Sequence, residues 1–146
     1  MFQELSPFSM KRFEAIEKAI ASRWGNMPAV NICRAILEHA ASNPTMPRLM
    51  LTYGDFDKLT GLRYDTEELQ QAITILVSRF HALEMRLVFI DEHEKTFYLE
   101  DEEQTEFLET GELAHPDSGE TVPDAEDRTF PYYVAFPPAL LEEVKS

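Results

Sequence analysis

Apolar positions recur along the chain with helical spacing, then with strand spacing. In "SPFSMKRFEAIEKAIASRWGN", Phe13, Ile16, Ile20 and Trp24 fall at three- and four-residue steps, which predicts a helix with one buried face. Ser6 before Pro7, or Ser9 a turn later, is the expected cap, and Gly25-Asn26 the stop. A second helix is expected from Pro28, a residue suited to a first helical position. Val30, Ile32, Cys33, Ile36, Leu37 and Ala40 make it the more apolar of the two, and therefore central. "SNPTMP" breaks it, because the residue before a proline is pushed out of helical geometry.

"RLMLT" has strand character, and Thr52 with Asp55 forms a capping box opening a short helix, "YGDFDKLTG", which Gly61 ends. A second box, Asp65 with Glu68, opens "TEELQQAITILVSRFHALE", the clearest helical pattern in the chain. Leu69, Ile73, Leu76, Val77, Phe80 and Leu83 form its stripe. "MRLVFI" and "TFYLE" flank the polar turn "DEHEK" and predict a hairpin. Beyond it, "EEQTEFLETG" reads as a short helix around Phe107 and Leu108, and "HPDSGETVPDAED" as loop. "RTFPYYVAF" then reads as an aromatic strand that covers the core, and "PPALLEEVKS" as a last helical turn or two.

Charge divides this string more sharply than hydropathy does. Residues 1–95 carry 11 Lys/Arg against 13 Asp/Glu, whereas residues 96–146 carry 2 against 14. Nearly all of the net charge of −14 therefore lies in the last third, whose field repels polyanions such as nucleic acid. The expected organisation is a folded body, 1–102, with an acidic extension, 103–146, packing back on it. One cysteine excludes an intramolecular disulfide and fits a reducing, cytoplasmic setting, and no apolar run is long enough to span a bilayer.

Candidate chemistry is sparse. No HExxH, CxxC or GxSxG spacing occurs, Cys33 falls on an apolar helix face, and glycines are too few for a phosphate-cradling loop. His115, Asp117 and Glu120 in the Gly/Pro loop are the same letters that a polar surface loop would use. A catalytic carboxylate pair needs a concave pocket and one raised pKa, which a solvated acidic run does not supply. The expectation is a protein without catalytic residues, metal or cofactor.

The order helix, helix, short strand, helix, tight turn, long helix and hairpin resembles the winged helix-turn-helix superfamily. The resemblance covers about residues 9–102 and rests on "YGDFDKLTGLRYDTEELQQAITILVSRF", its Gly61 turn and the wing-like "MRLVFIDEHEKTFYLE". It implies a mainly helical α+β fold. In the superfamily the long second helix of the pair enters the DNA major groove. The resemblance therefore makes Thr66, Glu67, Gln70, Gln71, Thr74 and Ser78 groove-facing, with Arg86 and Lys95 near the wing.

The charge argues against that use. Glu67 and Glu68 open the helix, and no basic residue follows before Arg79. A DNA-binding fold with the wrong charge for DNA points instead to a protein-docking or regulatory subunit that meets a basic partner surface. Glu100, Asp101, Glu102, Glu103, Glu106 and Glu109 would form its contact, with Tyr132 and Tyr133 as aromatic anchors. A homodimer through the N-terminal helices is one assembly open to it. A DNA-binding regulator restrained by its acidic segment, and a DNA mimic, stay open as alternatives.

Overall fold

The computed structural model describes residues 9–145. The fold is α+β, with antiparallel strand pairing. Ser6 and Pro7, expected as a cap, lie outside the described residues. The described chain forms two compact units, one of residues up to Glu84 together with those from Val134 onward, the other Met85–Tyr133. The units divide the chain at other places than after Glu102. The acidic segment belongs with the hairpin because Phe107, Leu113, Val122 and Ala125 share one apolar cluster with Leu87, Phe89, Phe97 and Leu99.

In the first unit, strand β1 (Ser9–Lys11) leads into helix α1 (Arg12–Trp24). Ser9 is thus a strand residue rather than a cap. Lys11 stands at the cap position, and its backbone N–H donates to Glu14 Oε1 at 3.0 Å. Ile16 and Ile20 are the buried part of the expected stripe, with Phe13 and Trp24 half-buried. Helix α2 (Pro28–Ala41) starts on its proline and buries Ala29, Val30, Ile32, Cys33, Ile36, Leu37 and Ala40. It packs against α1, α3 (Tyr53–Thr60), α4 (Glu67–Thr74) and α7 (Pro137–Leu140), the central place that its composition predicts.

Cys33 is fully buried and its thiol donates to the Ala72 carbonyl at 3.6 Å. Burial pushes that thiol up to about 12 and keeps it protonated. The Thr52–Asp55 box forms as expected before α3, each residue accepting the other's backbone N–H. At the end of the helix Gly61 takes the left-handed conformation, φ 75°, and its N–H closes on the Asp57 carbonyl at 2.7 Å.

Two expectations for the long helix are corrected. Its cap is Thr66 rather than Asp65, with no side-chain bond at the cap. The α-helix also ends at Thr74, where a π turn, Ile75–Arg79, takes over. The wider turn brings Ile75 and Leu76, consecutive in sequence, both into the core. His81, at φ 51°, then reverses the chain, and Leu83 is buried as the first residue of a strand instead of the last of a helix.

Strand β3 (Leu83–Ile90), strand β4 (Thr96–Tyr98) and strand β5 (Thr129–Ala135) join β2 (Leu49–Leu51) in the order β2-β5-β3-β4. β3 and β4 are the expected hairpin, with Val88 opposite Tyr98, Phe89 opposite Phe97 and Ile90 opposite Thr96. Between β4 and β5 lie α5 (Asp101–Thr110) and the single turn α6 (Ala125–Arg128), so the expected loop is helical at its end. After α7 the chain becomes a strand, β6 (Glu143–Lys145), where helix was expected to continue. It pairs antiparallel with β1, Met10 lying opposite Val144.

Gly61 offers a clean test of backbone cost, because an added Cβ there meets nothing within 4 Å. Gly61→Ala should lower unfolding stability by about 1 kcal/mol through the left-handed φ alone. Urea unfolding followed by circular dichroism would check it, with an unchanged denaturant slope expected.

Candidate functional site

The residues 85–133 that form the second unit carry three Lys/Arg against fifteen Asp/Glu, a net −12 within the chain's −14. Two features of this unit present chemistry to solvent, the outer face of α5 and a cleft beside the hairpin turn.

Helix α5 is held to β3 from one side. Gln104 works like an added strand residue, its Oε1 accepting the Leu87 N–H at 3.0 Å and its Nε2 donating to the Met85 carbonyl at 3.2 Å. Arg86, only 16% exposed, forms an ion pair with Asp101 and donates to the Leu99 carbonyl at 2.9 Å. Phe107 packs on the apolar cluster from the same side. Glu103 accepts the Glu100 N–H at 2.9 Å, and Gly111 closes the helix on Phe107. Three carboxylates in the first turn suit the positive end of the helix dipole.

What remains outward is a stripe of Asp101, Glu102, Thr105, Glu106 and Glu109, with Leu108 exposed beside it. Glu102 and Glu106 are one turn apart, as are Glu106 and Glu109, spacings at which like charges repel. Helix α5 contains no Lys or Arg to offset them.

The cleft, of about 520 Å³, is lined by residues of the hairpin turn and of the segment 115–124, with Arg128 at its side. At its base Asp91, 6% exposed, organises the turn. Its Oδ1 accepts the backbone N–H groups of His93 at 2.9 Å and Lys95 at 2.8 Å, and its backbone N–H donates to the Lys95 carbonyl. These bonds hold Glu94 in a left-handed conformation, φ 62°, which costs an L-residue about 1–2 kcal/mol.

His115 Nε2 lies 3.1 Å from Asp91 Oδ2, while its Nδ1 accepts the Asp117 backbone N–H at 3.0 Å. That acceptor role leaves the ring proton on Nε2, where it donates to Asp91. The ring also meets Phe89 and Phe97 edge-on, at 5.6 and 5.0 Å between centroids. Both nitrogens are engaged, so His115 fastens two loops together.

The Lys95 N–H above all, then the His115 and His93 bonds, hold Asp91 below its ordinary value of 3.8 against the upward push of burial. Lys95 pairs with Asp117 at 2.8 Å, and that bond raises the ammonium above its ordinary value. Arg128, half-buried, forms no ion pair among the described residues.

The structure separates the residues expected at a site. Asp101, Glu102, Glu106 and Glu109 do share one face, while Glu100 and Glu103 are engaged at the helix start. Tyr132 and Tyr133 are buried, at 8% and 5% exposure, so neither is a surface anchor, because strand β5 turns both into packed surroundings. Tyr132 meets Tyr98 edge-on at 5.5 Å, and Tyr98 is the exposed member of that pair.

The residues that the resemblance made groove-facing are mostly occupied. Gln70 Nε2 donates to the Tyr64 carbonyl and the Tyr53 hydroxyl, Gln71 reaches Glu67 at 3.4 Å, and Thr74 donates to the Gln70 carbonyl. Thr66 is the cap and Ser78 is exposed in the π turn, while Arg86 and Lys95 are both matched by carboxylates. Among the described residues no group of three or more His, Cys, Asp or Glu is arranged to hold a metal, and no helix is long and apolar enough to cross a membrane. Comparison with known families, with characterised proteins and with solved structures finds no match.

Because Asp91 sits below its ordinary value in the fold, its contribution is present above about pH 4 and is lost as pH falls through the folded value. Asp91→Ala should lower the thermal midpoint, speed amide exchange at His93 and Lys95, and remove that acid-limb dependence. Hydrogen exchange followed by NMR from about pH 3 to pH 7 would check all three.

Proposed function

We propose that the chain is a non-enzymatic docking or regulatory subunit of a larger cytoplasmic assembly, presenting the outer face of α5 to a basic surface on a partner protein. The observation that carries this reading is the unmatched stripe of Glu102, Glu106 and Glu109, which continues from the Arg86-paired Asp101. Gln104, Phe107 and Arg86 hold the helix from behind, so the stripe is presented on an ordered scaffold. Like charges one turn apart oppose the helix that carries them, and a partner's Lys or Arg residues relieve that repulsion on binding. Leu108, 56% exposed at the edge of the stripe, supplies apolar contact for a partner helix with a mixed basic and apolar face.

The order of α1, α2, β2, α3, α4 and the β3–β4 hairpin supports a winged-helix scaffold as the origin of this module. The charge of α4 supports a protein partner over DNA, since Glu67 and Glu68 open it and no basic residue lies within it. Phosphate attraction, which must position such a domain before any base is read, has no source on that helix.

The test is binding of a Lys/Leu-rich helical peptide to the full chain, measured by fluorescence anisotropy at low and high salt. Affinity should fall steeply with salt. The triple variant Glu102→Gln, Glu106→Gln, Glu109→Gln should bind on the order of tenfold more weakly. Equal binding by the variant, or tighter binding of duplex DNA than of the peptide, would overturn the reading.

A further inference from the structure

A second carboxylate arrangement lies in the first unit, independent of the docking surface. Glu17 on α1 faces Glu38 on α2 within hydrogen-bonding reach, in a shallow cleft of about 510 Å³ that Lys11, Glu14 and Ser42 also line. Glu17 Oε2 is fully buried yet has no hydrogen-bond donor among the described residues. A buried carboxylate oxygen without a donor is costly, and two facing carboxylates cannot both ionise cheaply. A single proton held between them resolves both difficulties.

The surrounding charges do not supply another answer. Glu14, one turn earlier on α1, adds negative charge, and Arg34, one turn before Glu38 on α2, pulls the other way without bonding the orphaned oxygen. Of the other elements against α1, strand β1 brings Lys11 to the cleft, and α7 has no titratable residue. Strand β6 carries Glu143, engaged with the Ser9 hydroxyl, and Lys145. Burial first, then the bond to Glu38 and the charges of Glu38 and Glu14, push Glu17 up to about 7.

We propose that Glu17 and Glu38 hold one proton between them across the α1–α2 contact, and that this proton is a pH-responsive clasp joining the two helices. With the proton present the carboxyl of one donates to the carboxylate of the other. Once it leaves, two negative charges oppose each other beside a third at Glu14. The sign follows from a carboxyl group whose folded value lies above its unfolded value of 4.5. The protonated clasp favours the fold, and that contribution falls as pH rises and is gone above about pH 7.

The experiment compares the folding equilibrium of the full chain with that of Glu17→Gln at several pH values, beside a carbon-detected NMR titration of the glutamate carboxyls in the unaltered protein. Between about pH 6 and pH 8 the unaltered protein should lose about fivefold to tenfold in folding constant relative to E17Q. The Glu17 carboxyl should titrate near neutrality and return toward ordinary values in Glu38→Gln, whose amide supplies the missing donor. Parallel pH profiles for the protein and E17Q would overturn the clasp. Should E17Q fail to fold, the NMR titration still decides, because a Glu17 carboxyl that titrates in the ordinary carboxylate range rejects it.

Discussion

Self-repulsion is the constraint that the unit Met85–Tyr133 has to satisfy before anything else. It folds with fifteen carboxylates and three cations, around a small core built from Leu87, Phe89, Leu99, Leu113 and Ala125. Its solutions are local and specific. Arg86 answers Asp101, Lys95 answers Asp117, and Asp91 is held by backbone N–H groups and the His115 ring. The helix α5 places its like charges outward, where water screens them, and presents only Gln104, Phe107 and their neighbours to the strand behind. An acidic surface of this kind is ordered because Arg86, Lys95 and the backbone N–H groups around Asp91 each hold a carboxylate, and much of the remaining charge is directed outward.

Much of the architecture could be read from letters whose effects are local. Thr52 and Asp55 cap α3, Gly61 ends it, Pro28 starts α2, and the alternation around "DEHEK" makes a hairpin, because each of these acts within four residues of itself. Asp91 also carried a local signal, an aspartate opening a polar turn, although its partner did not. Asp91 and His115 are 24 residues apart, and no periodicity links them. Glu17 and Glu38 meet for a similar reason, since only the packing of α1 on α2 brings them together.

The misreadings have physical causes too. The stripe from Leu69 to Leu83 continues with helical spacing through a π turn and a reversal at His81, because Leu83 is buried in either geometry. Burial alone therefore does not mark where a helix stops. Tyr132 and Tyr133 read both as core cover and as surface anchors, because the large apolar area that lets aromatics dominate interfaces suits a strand interior equally, and the structure buries both. The acidic stripe of α5 was legible as composition, whereas which of its carboxylates face outward depended on Gln104 and Phe107 turning the other face inward.

Strands β1 and β6 set Ser9 opposite Lys145, with Met10 opposite Val144 and Lys11 opposite Glu143. The path into the described chain and the path out of it thus run side by side. Fluorophores attached at Ser9 and Lys145 would sit side by side and transfer energy efficiently whenever this ribbon is intact. The same adjacency lets residues 9 and 145 be bridged by a few flexible residues with the chain reopened in an exposed loop, or lets residues 9–145 be inserted into a surface turn of a host protein without separating the host's flanks.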